Sequence, residues 1–110
     1  MDCEYHFALT QRAKQDVRQN VGYIRNELGS EKAAGMLMNE LDKCIERLCI
    51  FPESGKLVFD EYLPGIHVRR KIVGKYILFY QVLKEEKVIR ILRIVYGRRD
   101  MDEVLKHVNS

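Results

Sequence analysis

HVRRKIVGKYILFYQVLKEEKVIRILRIVYGRRD, residues 67–100, decides the fold of this 110-residue chain. Three runs rich in β-branched and aromatic residues, at about 66–73, 75–83 and 87–96, read as consecutive strands. Gly74 separates the first run from the second, and the polar Lys84-Glu85-Glu86-Lys87 separates the second from the third. Connections this short place neighbouring strands antiparallel. The middle run, YILFYQVL, is apolar at both parities, so it belongs in the centre of the sheet. The segment is also basic. From Gly65 to Ser110 there are 11 Lys+Arg against 5 Asp+Glu, a net of +6, whereas residues 1–64 hold 8 against 11, a net of −3. That imbalance directs the strand-bearing half toward an anionic partner.

Upstream, residues 3–9 alternate, with Tyr5, Phe7 and Leu9 on one face, as in a half-buried strand. Thr10 stands where a helix N-cap belongs, and Ala13, Val17, Val21, Ile24 and Leu28 follow as an amphipathic stripe. Gly29 stops that helix, and Ser30 caps a second whose stripe is Ala34, Leu37, Leu41, Cys44 or Ile45, and Leu48. Pro52 ends it, and residues 53–65 read as a turn-rich connection. Asp100, with Glu103 three residues on, is a plausible cap for a short final helix. The predicted architecture is α+β, in the order β-α-α-β-β-β with a terminal helix. An antiparallel sheet packs on a helical hairpin, and its other face is partly open and cationic. The partner of the first strand is not fixed by the sequence.

The length fits one domain spanning residues 1–110. No run approaches the roughly 20 apolar residues of a membrane span, and the first residues do not form a secretory signal. Cys3, Cys44 and Cys49 are odd in number and fit neither a CxxC pair nor a zinc site, which suits reduced thiols in a cytosolic protein. His6, His67 and His107 are scattered, and no metal or cofactor is expected.

KYILFYQV at 75–82, the strand closing in YGRRD at 96–100 and FPESG at 51–55, in this order and spacing, resemble the RelE/ParE superfamily of bacterial toxins. The resemblance covers nearly the whole chain, and YGRRD together with KYILFY resembles the ParE side. It implies the toxin of a type II toxin–antitoxin module, cytoplasmic, without cofactor, and neutralised by a cognate antitoxin through which alone it meets operator DNA. ParE-like members poison DNA gyrase; RelE-like members cleave mRNA on the ribosome. RelE-like nucleases use basic residues on the second strand, an arginine on the third, an arginine after the last strand and a tyrosine near the end. Aligned outward from KYILFYQV, these positions fall on Val68 and Arg70, Ile77, Arg99 and Leu105. Ile77 cannot neutralise a phosphate and Leu105 cannot transfer a proton.

The resemblance therefore implies a gyrase poison acting by binding, with Arg98 and Arg99 leading and Arg69, Arg70, Lys71 and Arg93 in support. The alternative is a metal-independent mRNA endonuclease with a non-standard set, Arg70, Tyr96 and Arg99. A further alternative is an inactive or regulatory member of the fold. The residues also have ordinary readings. Alternation separates Arg70 from Arg69 and Lys71, and Arg90 from Arg93, so these arginines include solvated ones. Arg98 and Arg99 have Asp102 and Glu103 as possible ion-pair partners, and Tyr76 and Tyr80 read as core.

Overall fold

The computed structural model describes residues 4–58 and 67–97. Its elements run β1 (His6–Leu9), α1 (Gln11–Asn26), α2 (Glu31–Ile50), a 3-10 turn (Pro52–Ser54), β2 (Lys56–Val58), β3 (Val68–Val73), β4 (Tyr76–Leu83) and β5 (Val88–Tyr96). Both helices start where the sequence places them. The Thr10 hydroxyl accepts from the Ala13 N–H at 3.1 Å, and the Ser30 hydroxyl accepts from the Ala33 N–H at 3.1 Å. The first helix stops earlier than its stripe, at Asn26, so Leu28 lies beyond it and is 61% exposed. Gly29 then turns the chain at φ 63°, a conformation that glycine adopts without Cβ strain. In α2 the stripe is filled by Ile45, which is buried, while Cys44 is half-buried.

The five strands form one sheet in the order β1-β5-β4-β3-β2, with β4 in the centre as its two apolar faces require. β2 to β5 pair antiparallel in succession. The first strand departs from the antiparallel expectation. It pairs parallel with β5, from His6 opposite Val88 to Leu9 opposite Ile91, with α1, α2 and the other strands between them in sequence. On this edge Phe7 is more than half exposed, although its parity marked it for burial. A second departure is β2, which occupies part of the stretch read as connection; three residues are too few to show alternation. The turn between β3 and β4 is Gly74-Lys75, with φ 59° at Gly74 and no positive φ at Lys75, as a type II′ turn demands. The expected terminal helix capped by Asp100 lies outside the described residues, as do Arg98, Arg99, Leu105 and His107.

Side chains from the two faces of the sheet build two clusters. Leu78, Tyr80, Ile89, Ile91 and Ile94 meet α1 and α2 in the main core. Val68, Phe79, Leu92 and Val95 form a smaller buried cluster on the opposite face. The face expected to be open is therefore apolar and covered at its centre, with its cations around that centre. One residue sets the phase of β5. Its register with β4 passes from Arg93 opposite Phe79 to Ile91 opposite Tyr80, so Leu92 is the extra residue of a β-bulge. Through it, Ile91 and Ile94 both face the helices although their parities differ.

FPESG has a structural reason. The Tyr80 hydroxyl, fully buried, donates to the Pro52 carbonyl at 2.8 Å and accepts from the Gly55 N–H at 2.9 Å. A Cβ on Gly55 would lie 2.5 Å from that hydroxyl and 2.7 Å from the Arg70 carbonyl. Gly55→Ala is expected to destabilise the fold by about 1–3 kcal/mol, read from chemical denaturation, because backbone as well as side chain must move.

Candidate target-binding surface

Strand β3 divides its three adjacent cations between two faces. Arg69 stands opposite Tyr80 and points to the helix side, where its guanidinium donates to the carbonyls of Gly55 at 2.8 Å and Glu53 at 3.2 Å. Lys71 follows on the same side and donates to the Ser54 hydroxyl at 3.2 Å. Both are engaged in holding the 3-10 turn. Arg70 stands on the other face, flanked by Phe79 on β4 and by Lys56 on β2. It is half-buried, and neither it nor Lys56 has a hydrogen-bond or ion-pair partner among the described residues. Arg90, on the same face as Gln81, makes one long 3.4 Å bond to the Gln81 amide oxygen. Lys56 escaped the sequence reading because its strand did.

Arg93 is withdrawn from the candidate contacts. It is 2% exposed and its guanidinium meets the Asp16 carboxylate of α1 through Nε at 2.7 Å and Nη2 at 3.1 Å. The same carboxylate accepts the Ile94 N–H at 3.0 Å. Asn20 donates to the Ile94 carbonyl at 3.2 Å and Thr10 to the Leu92 carbonyl at 3.0 Å, so α1 is stitched to the bulge backbone. A sequence signal for this pair exists. Asp16 falls in the core-facing arc with Ala13 and Val17, and Arg93 shares the parity of Ile89 and Ile91. A charge of each sign on two apolar faces is what a buried pair requires.

Of the nuclease alternative's residues, the two that are described, Arg70 and Tyr96, fall on opposite faces of the sheet. Tyr96 stands opposite Tyr76, which packs into the helix-side core, and the two rings meet edge-on at 5.7 Å. Arg70 is on the far face, and Arg99 lies outside the described residues. Ile77, where the resemblance calls for an arginine, packs against the apolar cluster of Phe79 and Val95. Burial, before the neighbouring Tyr96 and Tyr23, pushes the Tyr76 hydroxyl up. Burial likewise raises Tyr80, against the opposing bond from the Gly55 N–H. Neither phenol is prepared to give up a proton at neutral pH. Among the described residues no His, Cys, Asp and Glu group is placed to hold a metal, and no helix is long and apolar enough to cross a membrane.

The turn before β2 is tied to the β4–β5 loop by Glu53, which meets Lys84 at 2.9 Å. The bond from Lys84 lowers Glu53 below its ordinary value of 4.5, and the same bond raises Lys84 above 10.5. A depressed acid contributes fully above its unfolded value and loses that contribution as pH falls; a raised base loses its contribution as pH rises. The contact is therefore expected between these limits and released on acidification, which a titration of the Glu53 carboxyl carbon by NMR will report as a lowered midpoint.

A family model described as "ParE toxin of type II toxin-antitoxin system, parDE" matches residues 7–101. No curated protein matches the chain. Among solved structures, the fold is similar to one titled "Chromosomal ParDE TA system from P. aeruginosa". The TM-score is 0.65 and the identity 22%, over 86% of this chain and 98% of that one. It is similar to the toxin–antitoxin complex RelBE2 from Mycobacterium tuberculosis at TM-score 0.58 and 21% identity, over 84% and 98%. The archaeal RelE–RelB complex from Pyrococcus horikoshii OT3 follows at 0.53 and 18%, over 88% and 99%. The family match runs from the edge strand β1 through all the sheet and both helices just described, and by it this chain belongs to the ParE toxin family of type II toxin–antitoxin systems.

Proposed function

We propose that this toxin arrests growth by binding DNA gyrase in the cytoplasm and stabilising a cleaved gyrase–DNA state, until a cognate antitoxin neutralises it. The observation that carries the reading is Ile77. At the position where RNA cleavage needs a cation for the phosphate, an isoleucine packs into an apolar cluster. The family match supports the same side of the superfamily. Binding demands an exposed cationic face, and Arg70 supplies part of one, while Arg98 and Arg99 follow β5 in the sequence. An antitoxin with an acidic, flexible C-terminal segment suits the same charge and would bring operator DNA to the complex through its own DNA-binding part.

Inducing the toxin and following plasmid topology and mRNA integrity in one culture tests this. The expected result is relaxed or cleaved DNA with intact message. Cleaved message with unchanged topology would assign the ribosome instead, and uninterrupted growth would assign an inactive or regulatory member of the fold.

A further inference from the structure

We infer that Lys56 and Arg70 form a phosphodiester-binding site on the sheet face away from the helices, with Arg90 extending it. The inference rests on the gyrase–DNA reading for the source of the phosphates. Lys56 and Arg70 are directly opposite in register on neighbouring strands. Like charges so placed, with Cβ atoms about 4.5–5.5 Å apart, destabilise a sheet. Among the described residues no acidic side chain pairs with them. None of the five strands carries an Asp or Glu, and the neighbours on this face are Val58, Val68, Ile72 and Phe79. Among the described residues, the carboxylates that meet strand arginines, Asp16 and Glu53, pair with Arg93 and Arg69 and not with these two.

The backbone beneath the pair is also held in place before any ligand arrives. Lys56 directly follows Gly55, whose N–H is fixed by Tyr80 and whose carbonyl is fixed by Arg69. The charges of Arg69 and Lys71 thus position the turn, while those of Lys56 and Arg70 stay available. Preorganised cations bind with less loss of side-chain freedom. The three outer cations, on β2, β3 and β5, cross the sheet obliquely; Arg70 and Arg90 stand on strands paired on both sides, and Lys56 on the edge strand β2. At Arg70 and Arg90 such a row offers charge without main-chain hydrogen bonds. That suits the repeating charges of a phosphodiester backbone better than a peptide, which gains affinity by pairing with a strand edge.

The test is fluorescence anisotropy of the full-length toxin with a short labelled DNA duplex, without gyrase, over a salt series. Lys56→Gln and Arg70→Gln should each lower the slope of log affinity against log salt by about 1, and the double variant by about 2. Lys43→Gln, on the exposed side of α2, should leave it unchanged. Unchanged slopes in both outer-face variants overturn the site. So does a loss of antitoxin affinity with DNA binding intact, which would assign the pair to an acidic protein. A parallel supercoiling assay keeps the two claims apart: altered salt slopes with gyrase unaffected would retain the site and sink the gyrase reading.

Discussion

Replacing Asp16 by alanine is expected to destabilise the toxin by about 3–5 kcal/mol, seen as a lower urea midpoint at nearly unchanged slope. Asp16 is 5% exposed and Arg93 2%, so the substitution removes, in the interior, a carboxylate that meets the guanidinium through two nitrogens. It also orphans the Ile94 N–H, which the carboxylate accepts at 3.0 Å. The loss therefore falls on two buried donors at once, a guanidinium and a backbone amide. A second variant separates these causes. Asp16→Leu combined with Arg93→Met removes both charges at similar volume, and replacing a buried pair in this way is often close to neutral. The unmet Ile94 N–H still costs about 1–3 kcal/mol. The double variant should be clearly more stable than Asp16→Ala; equal destabilisation of the two would show that the pair is not what holds α1 to β5.

Phe79→Ala is expected to cost about 3–5 kcal/mol by the same measurement. Phe79 is fully buried, although it points away from both helices. Its ring fills the middle of a cluster completed by Val68, Leu92 and Val95, so truncation opens a cavity that strands on both sides cannot close. Ile72 lies on the same face and is 72% exposed; Ile72→Ser should stay within about 0.5 kcal/mol of the wild type. Similar effects for the two substitutions would mean that the outer cluster contributes little to the fold.

Much of this was legible locally. Thr10 and Ser30 cap where they were read, because a hydroxyl followed by an apolar period is a short-range signal. Gly74 and the doubled apolar parity of YILFYQVL placed β4 between two partners for the same reason. What escaped depends on distance along the chain. The parallel pairing of His6 with Val88 leaves no mark in either strand, and the Asp16–Arg93 bond joins residues 77 apart. β2 was missed by shortness, and with it Lys56. The separation of Arg70 from Arg69 and Lys71 followed from alternation alone, yet which face was cationic did not. The buried cluster around Phe79 depends on the bulge at Leu92, and a bulge shifts parity without announcing itself in composition.

The parallel edge has a consequence for synthesis. β1 is the first strand to leave the ribosome, and its sheet partner β5 is the last of the five. At the usual pace of about 5–20 residues per second, several seconds pass before the two can meet. During that interval α1 and α2 have each other but no sheet to cover, and Asp16 has no arginine. The outer face lacks Arg90 and Leu92 until β5 is in place. The parallel edge is thus the last part of the sheet to close during synthesis.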